Sequence, residues 1–341
     1  MLKAWQEFIR DKKDRNDVIM FQVKLMDNIF GLYTDLKNKT YIHGSYKAFN
    51  ISDPKPRQIH KAMVRDRLLH HLIYQELYGY FDSKFIHDSY SCRKIKGTHK
   101  SINRFRQMIR IVSKNNTKTC FVLKCDIKKF FANINHEILK NILKKHIKDQ
   151  NILWLLGQVV DSFCFNSIGK TSVNSIYAIA KIQKHQYSNS AIAKNEYRGL
   201  PLGNLTSQLL VNIYMNEFDQ FVKRELKVKF YVRYADDFVI LSQNKEYLQN
   251  ILGQMKKFLK NNFKLNLHPD KVFIKTIASG VDFLGWVYFS KHRVLRTATK
   301  KRMLKRINKN SKPETIASYK GMLKHGNTYK LSKVIDKLIT T

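Results

Sequence analysis

The feature that most limits the fold is an adjacent pair of acids inside an apolar stretch. Asp236 and Asp237 interrupt FYVRYADDFVIL, residues 230–241. Aspartate is disfavoured in strand interiors and favoured in turns. The stretch therefore predicts a β-hairpin with a first strand FYVRY, a tight turn at Ala235, Asp236 and Asp237, and a second strand FVILS. An ordinary Asp-Asp turn in solvent would also explain the pair.

A third acid gives the pair a chemical role. Asp126 ends another apolar strand, in CFVLKCDIKKFF. If this strand and the hairpin share a sheet, three carboxylates converge, and two like charges about 4 Å apart repel by about 4 kcal/mol at an effective dielectric near 20. Such a cluster needs cations, and Mg²⁺ prefers hard oxygen ligands that phosphates can complete. We therefore expect Asp126, Asp236 and Asp237 to bind two Mg²⁺ ions, with Mn²⁺ as an alternative, as in-line nucleotidyl transfer requires.

The remainder of the chain is strongly basic. Its 63 Lys and Arg residues outnumber its 26 Asp and Glu residues, for a net charge of +37. This imbalance predicts a polyanionic partner, because binding to basic side chains releases counterions from phosphates. The positive charge is spread along the chain rather than confined to a tail, which indicates a long basic groove. At 43% hydrophobic residues, the chain can also bury a core.

A membrane location is not expected. The sequence contains no run of about 18 apolar residues, and its start, MLKAWQEFIRDKKDRND, lacks the apolar core of a signal peptide. The four cysteines form no CxxC pair, and disulfides are not expected in a reducing cytosol. We therefore expect a cytoplasmic protein without a membrane partner.

Periodicity predicts a mixture of helices and short strands. The opening 35 residues have helical spacing, and YKAFNISDPKPRQIHKA is typical of a strand, a turn and a second strand. Residues 166–197 are polar and predict an irregular insertion. LTSQLLVNIYMNEFDQFVKREL predicts a long helix, and the chain from about residue 296 predicts a basic helical tail. The side chains expected on the buried face of the long helix are Leu209, Ile213, Phe218 and Phe221.

Taken in order, these segments resemble a reverse transcriptase of the prokaryotic retroelement type. YADD is similar to the family's catalytic hairpin, and DIKKFF, with Asp126, is similar to its partner acid motif. The likeness continues through SDPKPRQIHKAMVRDR, DSYSCRKIKGTHKSINRF, RGLPLGNLTSQLLVNIYMNEFD, LNLHPDKVFI and FLGWVYF. These motifs stand in the family's order and cover nearly the whole chain.

The resemblance implies an α+β, right-hand polymerase fold. It would have fingers, a palm of antiparallel sheet packed on helices, and a small helical thumb. The ranges implied are residues 1–119 for the N-terminal helices and fingers, 120–164 for the first part of the palm, 165–201 for a fingers insertion loop, 202–290 for the palm with its catalytic hairpin and primer grip, and 291–341 for the thumb.

The resemblance also implies how a nucleotide would be recognised. Phe131 lies five positions after Asp126, where the family has a steric gate that excludes a ribose 2′-hydroxyl; the alternative is a core ring beside Phe130. Arg57 matches the fingers arginine that grips the triphosphate, with Lys55 assisting. The alternative for both is a solvated basic turn.

Two further motifs carry implied roles. Lys271, in HPDKVFI, matches the lysine proposed to protonate the leaving pyrophosphate, although a strand-edge lysine would look the same. A segment in FLGWVYF matches the primer grip, a turn that holds the primer end, although its residues could equally belong to the core. The primer-grip residues are Phe283, Leu284, Gly285 and Trp286.

The segment LGNLTSQ, residues 202–208, narrows the subfamily. Group II intron enzymes usually have Gln before the glycine and end this motif with Ser-Pro, whereas here Leu202 precedes Gly203 and the motif ends with Gln208. This pattern resembles the reverse transcriptases of diversity-generating retroelements, which misincorporate opposite template adenine. Replacing an amide by Leu202 removes a polar contact near the templating base, where such contacts give discrimination. Leu202 could also merely fill space.

The resemblance implies an RNA-directed DNA polymerase that uses template RNA, cDNA and dNTPs. A diversity-generating enzyme would add a small basic accessory protein. Some antiphage-defence reverse transcriptases share this kind of sequence, and such an enzyme would act with a structured noncoding RNA. Three other classes explain less: a viral-type RNA polymerase would often have Gly-Asp-Asp, a basic RNA chaperone leaves the carboxylates unexplained, and a two-metal nuclease leaves the fingers and primer-grip motifs unexplained.

Overall fold

The structure is a computed structural model, and it describes residues 1–52, 55–165, 171–173, 197–309 and 312–340. The chain divides into two compact units. The first unit contains residues 1–86, 128–220 and 258–265, and the second contains residues 87–127, 221–257 and 266–341.

Helices and strands are both numerous along the described chain. The helices are α1 Leu2–Phe8, α2 Asn16–Val23, α3 Leu25–Lys37, α4 Val64–Lys84, α5 Thr98–Val112, α6 His136–His146, α7 Gln150–Asp161, α8 Leu205–Gln220, α9 Lys245–Phe263, α10 Thr297–Lys309, α11 Pro313–Leu323 and α12 Tyr329–Thr340. The strands are β1 Tyr46–Ile51, β2 Arg57–Ala62, β3 Phe121–Asp126, β4 Phe163–Phe165, β5 Thr171–Val173, β6 Tyr231–Tyr234, β7 Asp237–Ser242, β8 Phe273–Thr276, β9 Val281–Phe283, β10 Trp286–Tyr288 and β11 Arg293–Leu295.

The first unit is a set of helices packed beside two small hairpins. Helix α4 packs against α1 and α8, because apolar side chains recur on one of its faces at the four-residue spacing of a helix. Strands β1 and β2 form an antiparallel hairpin, as the sequence predicts; two residues of its turn, Asp53 and Pro54, lie outside the described residues. The buried side chains of the α4 face are Leu69, Ile73, Leu77 and Phe81.

The predicted insertion at residues 166–197 falls largely outside the described residues. Within it, Thr171–Val173 is a strand that pairs antiparallel with Phe163–Phe165, so this part is regular rather than irregular.

The long predicted helix ends earlier than its pattern suggests. Helix α8 stops at Gln220 and gives way to a π-helical turn, Phe221–Glu225. Leu209, Ile213 and Phe218 are buried as expected, but Phe221 is only partly buried. The expectation for Phe221 was wrong because the wider π winding rotates side chains off the face that a 3.6-residue period would give them.

The second unit is built on a four-stranded antiparallel sheet with the strand order β6-β7-β3-β8. Helix α5 packs against β6 and β7. A second sheet, the meander β9-β10-β11, shares one core with α5 and the three C-terminal helices. The α+β prediction, with antiparallel sheets packed on helices, is confirmed. The division into fingers, palm and thumb stays a prediction.

No helix within the described ranges is both long enough and apolar enough to cross a bilayer.

A buried carboxylate ties the N-terminal segment to α4. The Tyr41 hydroxyl donates a 2.7 Å hydrogen bond to Asp66, and the Gly44 N–H donates a second, of 3.1 Å, to the same carboxylate. The side chains of Tyr41 and Asp66 are both buried. Burial and the Asp66 charge raise the pKa of Tyr41, so its hydroxyl stays protonated and remains a donor.

We predict that Tyr41→Phe will lower the free energy of unfolding by about 1.5–3 kcal/mol, the usual value of a hydrogen bond to a charged group. Urea unfolding followed by circular dichroism measures this. The matched control is Tyr33→Phe, because Tyr33 is exposed and loses only a solvated hydroxyl. Equal unfolding midpoints in the two variants would contradict the prediction.

Candidate active site

Strands β3 and β7 place two carboxylates opposite each other. Asp126, the last residue of β3, pairs in register with Asp237, the first residue of β7. Asp237 also pairs with Tyr234, which closes the β6–β7 hairpin. The turn therefore contains only Ala235 and Asp236, and the expectation that Asp237 belongs to it was wrong. Asp237 completes the ladder between two strands, which overrides the preference of aspartate for turns.

The turn has an uncommon backbone conformation, which hydrogen bonds hold in place. Ala235 has a φ of 55°, which is uncommon for a residue with a side chain. Its carbonyl accepts a 3.1 Å hydrogen bond from Nη1 of Arg233. The Asp236 carbonyl accepts a 3.2 Å hydrogen bond from the N–H of Ile127, directly after Asp126. The backbone of the acidic pair is thus locked to the end of β3.

Each opposed carboxylate has its own lysine. Lys271 Nζ lies 2.9 Å from Asp126 Oδ1, and Lys124 Nζ lies 3.3 Å from Asp237 Oδ1. Lys271 reaches Asp126 from a short 3₁₀ turn, and the preceding His268 N–H donates a 2.7 Å hydrogen bond to the Asp126 carbonyl. The structure therefore brings Lys271 to the acids, while its role as a proton donor stays a prediction.

The carboxyl of Asp237 is perturbed by its surroundings. Its pKa is raised to about 6, mainly by burial and also by the neighbouring carboxylates of Asp126 and Asp236, against the lowering effect of Lys124. Its Oδ1 is buried and accepts no hydrogen bond of good geometry, although Lys124 Nζ forms an ion pair with it at 3.3 Å. A buried carboxylate oxygen without a hydrogen-bond donor lowers the stability of the fold, so a cation bound to this oxygen would offset that cost.

The oxygen ligands of Asp126, Asp236 and Asp237 are of the type that a divalent cation prefers, although the three side chains are not gathered around a single point. Within the parts of the chain that the structure describes, no three Asp, Glu, His or Cys side chains are close enough to hold one ion. The unsatisfied Oδ1 of Asp237 and its raised pKa are nevertheless what a hard cation would relieve. Binding of Mg²⁺ by Asp126, Asp236 and Asp237 therefore stays a prediction.

Two supporting residues were not singled out from the sequence. Lys124 stands two positions before Asp126, and in a strand such residues point to the same face, so alternation could have identified it. Arg233 is fully buried, and its Nη2 donates a 3.1 Å hydrogen bond to Ser89. The signal for Arg233 is an arginine inside the apolar strand FYVRY, since charged side chains are rarely buried without partners.

The predicted gate residue lies in the first unit. Phe131 belongs to the 3₁₀ turn Phe130–Asn133, where Phe130 is buried and Phe131 is only partly buried. The two rings meet edge to face, with centroids 5.7 Å apart. The Phe131 carbonyl accepts a 2.8 Å hydrogen bond from the N–H of Leu200, so the gate position and the segment before Leu202 are joined.

The segment at Leu202 is joined in turn to strand β2. The Leu202 carbonyl accepts a 2.9 Å hydrogen bond from the N–H of His60. Gly203 has a φ of 103°, and a Cβ added there would lie 2.7 Å from a methyl carbon of Ile59, so only glycine fits. The Leu202 side chain is partly buried, as is that of Gln208 in the first turn of α8. The structure thus joins Leu202 and Gly203 to β2, and it joins Phe131 to the same segment through Leu200.

Arg57 and Lys55 are both exposed. Arg57 opens strand β2, opposite Ile51, and Lys55 lies in the bend before it. Both belong to the first unit, whereas the carboxylates and Lys271 belong to the second.

The predicted primer grip is the hairpin β9–β10, in the second unit. Its two turn residues, Leu284 and Gly285, have φ values of 51° and 87°, as a tight two-residue hairpin turn requires. Phe283 and Trp286 are buried core residues on either side of the turn, at 0% and 3% exposure. The partial exposure of the motif is therefore confined to Leu284 and Gly285.

Comparison with known proteins identifies the family. A family model described as "Reverse transcriptase (RNA-dependent DNA polymerase)" matches residues 50–288. The chain belongs to this family. Relatives by sequence include Protein YkfC of Escherichia coli (strain K12), 24% identical over 277 residues. The group II intron-encoded protein LtrA of Lactococcus lactis subsp. cremoris is 26% identical over 240 residues.

Coverage of these relatives is partial. The match to YkfC spans 72% of this chain and 65% of that protein, and the match to LtrA spans 52% and 35%. Among solved structures, telomerase from Candida albicans in complex with a fragment of telomeric RNA gives a TM-score of 0.49 at 12% identity, covering 87% of this chain and 55% of that one.

We predict that Asp126→Asn, or Asp236→Asn with Asp237→Asn, will abolish primer extension and leave RNA binding intact. The substitutions remove the charges that would bind metal ions but leave the basic surface in place. Extension and filter-binding assays measure the two properties separately. The control is Glu246→Gln, an exposed acid of the same unit. Normal extension by the double variant would rule out these ligands.

Proposed function

We propose that the protein is an RNA-directed DNA polymerase that copies a template RNA into cDNA from dNTPs. The observation that supports this most is the register of Asp126 against Asp237, in an antiparallel sheet of a chain from the reverse transcriptase family. The strong positive charge supports the choice of a nucleic acid as partner. Primer extension by the purified protein, comparing RNA with DNA templates and dNTPs with rNTPs, tests the proposal.

The three carboxylates and Lys271 would divide the chemistry. Asp126, Asp236 and Asp237 would hold divalent cations, which when bound neutralise charge on the transferring phosphate and favour deprotonation of the primer 3′-hydroxyl. Lys271 would supply a proton from Nζ to the departing pyrophosphate. The 2.9 Å contact of Nζ with Asp126 supports this role, because it places the ammonium beside the carboxylates.

Nucleotide selection would come from the first unit. Phe131 would exclude a ribose 2′-hydroxyl, and its partial exposure beside the buried Phe130 supports a role other than core packing. Arg57, with Lys55, would bind the triphosphate by charge-assisted hydrogen bonds. The exposure of both side chains leaves them accessible to such a ligand.

We predict that Phe131→Ala will admit ribonucleotides that the parent rejects, because the discrimination is steric. The measurement is the ratio of kcat/KM for dNTP and rNTP incorporation on one primer–template. Phe131→Tyr, which keeps the ring, serves as the control and should retain the parent ratio. An unchanged ratio in Phe131→Ala would make Phe131 a packing residue only.

We further propose that the enzyme belongs to a diversity-generating retroelement and works with a small basic accessory protein. The apolar Leu202, where related enzymes have an amide, supports this assignment. The second candidate is an antiphage-defence enzyme that acts with a structured noncoding RNA, since the same motif occurs there. Template and variable repeats beside the gene would favour the first, and a structured RNA gene without such repeats would favour the second.

We predict that Leu202→Gln will lower misincorporation opposite template adenine more than opposite the other bases. A tenfold change in an error ratio needs about 1.4 kcal/mol of differential transition-state stabilisation, which one added hydrogen-bonding group can supply. Sequencing of cDNA made from one RNA, with the natural RNA and any accessory protein present, measures the errors.

Leu202→Met is the matched control, because it keeps an apolar side chain of similar volume. Equal adenine-specific error rates in the parent and in Leu202→Gln, with both enzymes active, would remove Leu202 from the fidelity mechanism. A parent without adenine bias would favour the defence assignment and leave the polymerase chemistry untouched.

A further inference from the structure

A small basic pocket lies in the second unit, between α5 and the turn that joins β10 to β11. Its volume is about 50 Å³; since about 10–15 Å³ of such volume holds one water molecule, a tetrahedral anion fits. Half of its lining consists of basic side chains, and no Asp or Glu is among the residues that line it. The basic residues are Arg106, Arg110, Lys291, His292 and Arg293.

Arg293 forms the buried end of this pocket. It is 7% exposed and stands over the rings of Trp286 and Tyr288, with its guanidinium carbon 5.6 and 5.9 Å from their centroids. Its Nε donates a hydrogen bond to the carbonyl of His325, and its Nη2 donates one of 3.3 Å to Asn103. The guanidinium is therefore held rigidly, and its buried Nη1 has no hydrogen-bond partner.

The other arginines bring like charge to this rigid group. Arg106 and Arg110 lie four positions apart on α5, so they occupy the same face of the helix. The pKa of Arg106 is lowered by partial burial and then by the charges of Arg110 and Arg293. Arginines gathered without a carboxylate, around a buried unpaired donor, are stabilised by an anion with several acceptor oxygens.

We propose that this pocket binds one backbone phosphate of a nucleic-acid strand. The choice of a nucleic acid rests on the proposed function. It is favoured over a free phosphate by continuity with the β9–β10 hairpin, because Arg293 contacts Trp286, the residue directly after the turn Leu284–Gly285. The turn and the pocket segment lie at the two ends of the three-residue strand β10, so a nucleic-acid strand bound at the turn passes close to the pocket.

The test is a scan of single neutral methylphosphonate linkages through an RNA–DNA duplex, with equilibrium binding measured at fixed salt. The full chain carries Asp236→Asn and Asp237→Asn, so that binding is measured without turnover. The pocket variant adds Arg106→Gln and Arg110→Gln, both at exposed positions. The control variant adds Lys100→Gln and Arg224→Gln, which remove the same charge from exposed positions of the same unit.

We expect one linkage whose neutralisation weakens binding about tenfold in the parent and in the control, as loss of a charge-assisted contact should. Neutralising the same linkage should change the binding of the pocket variant very little. The dependence of log K on log salt should also be shallower by about 0.7–0.9 in the pocket variant than in the control. Arg106→Lys with Arg110→Lys should restore the salt slope but only part of the affinity.

If each neutralised linkage weakened binding equally in the pocket variant and in the control variant, the proposal would be overturned. A thermal shift with inorganic phosphate that depends on Arg106 and Arg110, without any linkage losing its effect, would also overturn it, in favour of a free-anion site. Because these assays measure binding alone, their failure is distinct from failure of the polymerase proposal, which primer extension by the unsubstituted protein decides.

Discussion

The site depends on holding two like charges in register across a pair of strands. Like charges directly opposite each other destabilise a sheet, so Asp126 and Asp237 stay paired only because the surrounding ladder is strong. Strand β7 pairs with β3 over six residues and with β6 over four, and its interior side chains are buried. The apolar content of these strands therefore stabilises the fold and offsets the electrostatic cost of the acids.

The neighbouring cations reduce this cost without abolishing it. Lys271 and Lys124 each approach one of the opposed acids, while the buried Arg233 stabilises the turn between them through a backbone carbonyl. The pKa of Asp237 still stands at about 6, with burial as the main cause. A perturbed pKa of this kind is common at functional sites. A bound dication would lower the pKa of Asp237 by supplying positive charge that the two lysines do not fully provide.

Sequence patterns predicted the parts of this arrangement that depend on local chemistry. The apolar runs predicted the strands and the hairpin, and the acids at their ends predicted that Asp126 and Asp237 would come together. The patterns did not show that Asp237 belongs to the ladder, because pairing between distant strands decides where a turn ends. They also missed the burial of Arg233, which depends on its partner Ser89, 144 residues away in sequence. They left open whether Phe283 and Trp286 belong to the core, because that depends on packing with α5 and the C-terminal helices.

The segment at Leu202 shows why a side chain there can change without changing the fold. Its position is set by the backbone and by one side chain. The Leu202 carbonyl accepts a hydrogen bond from the His60 N–H, Gly203 takes a conformation reserved for glycine, and Nδ2 of the Asn204 side chain donates a 2.8 Å hydrogen bond to the His60 carbonyl. None of these contacts uses the Leu202 side chain, which is only partly buried. Substitution at 202 therefore alters the chemistry presented by the segment while its path is held by Gly203 and Asn204. A glycine and a buried asparagine that fix the backbone leave the side chain of the preceding Leu202 free to differ without a change of fold.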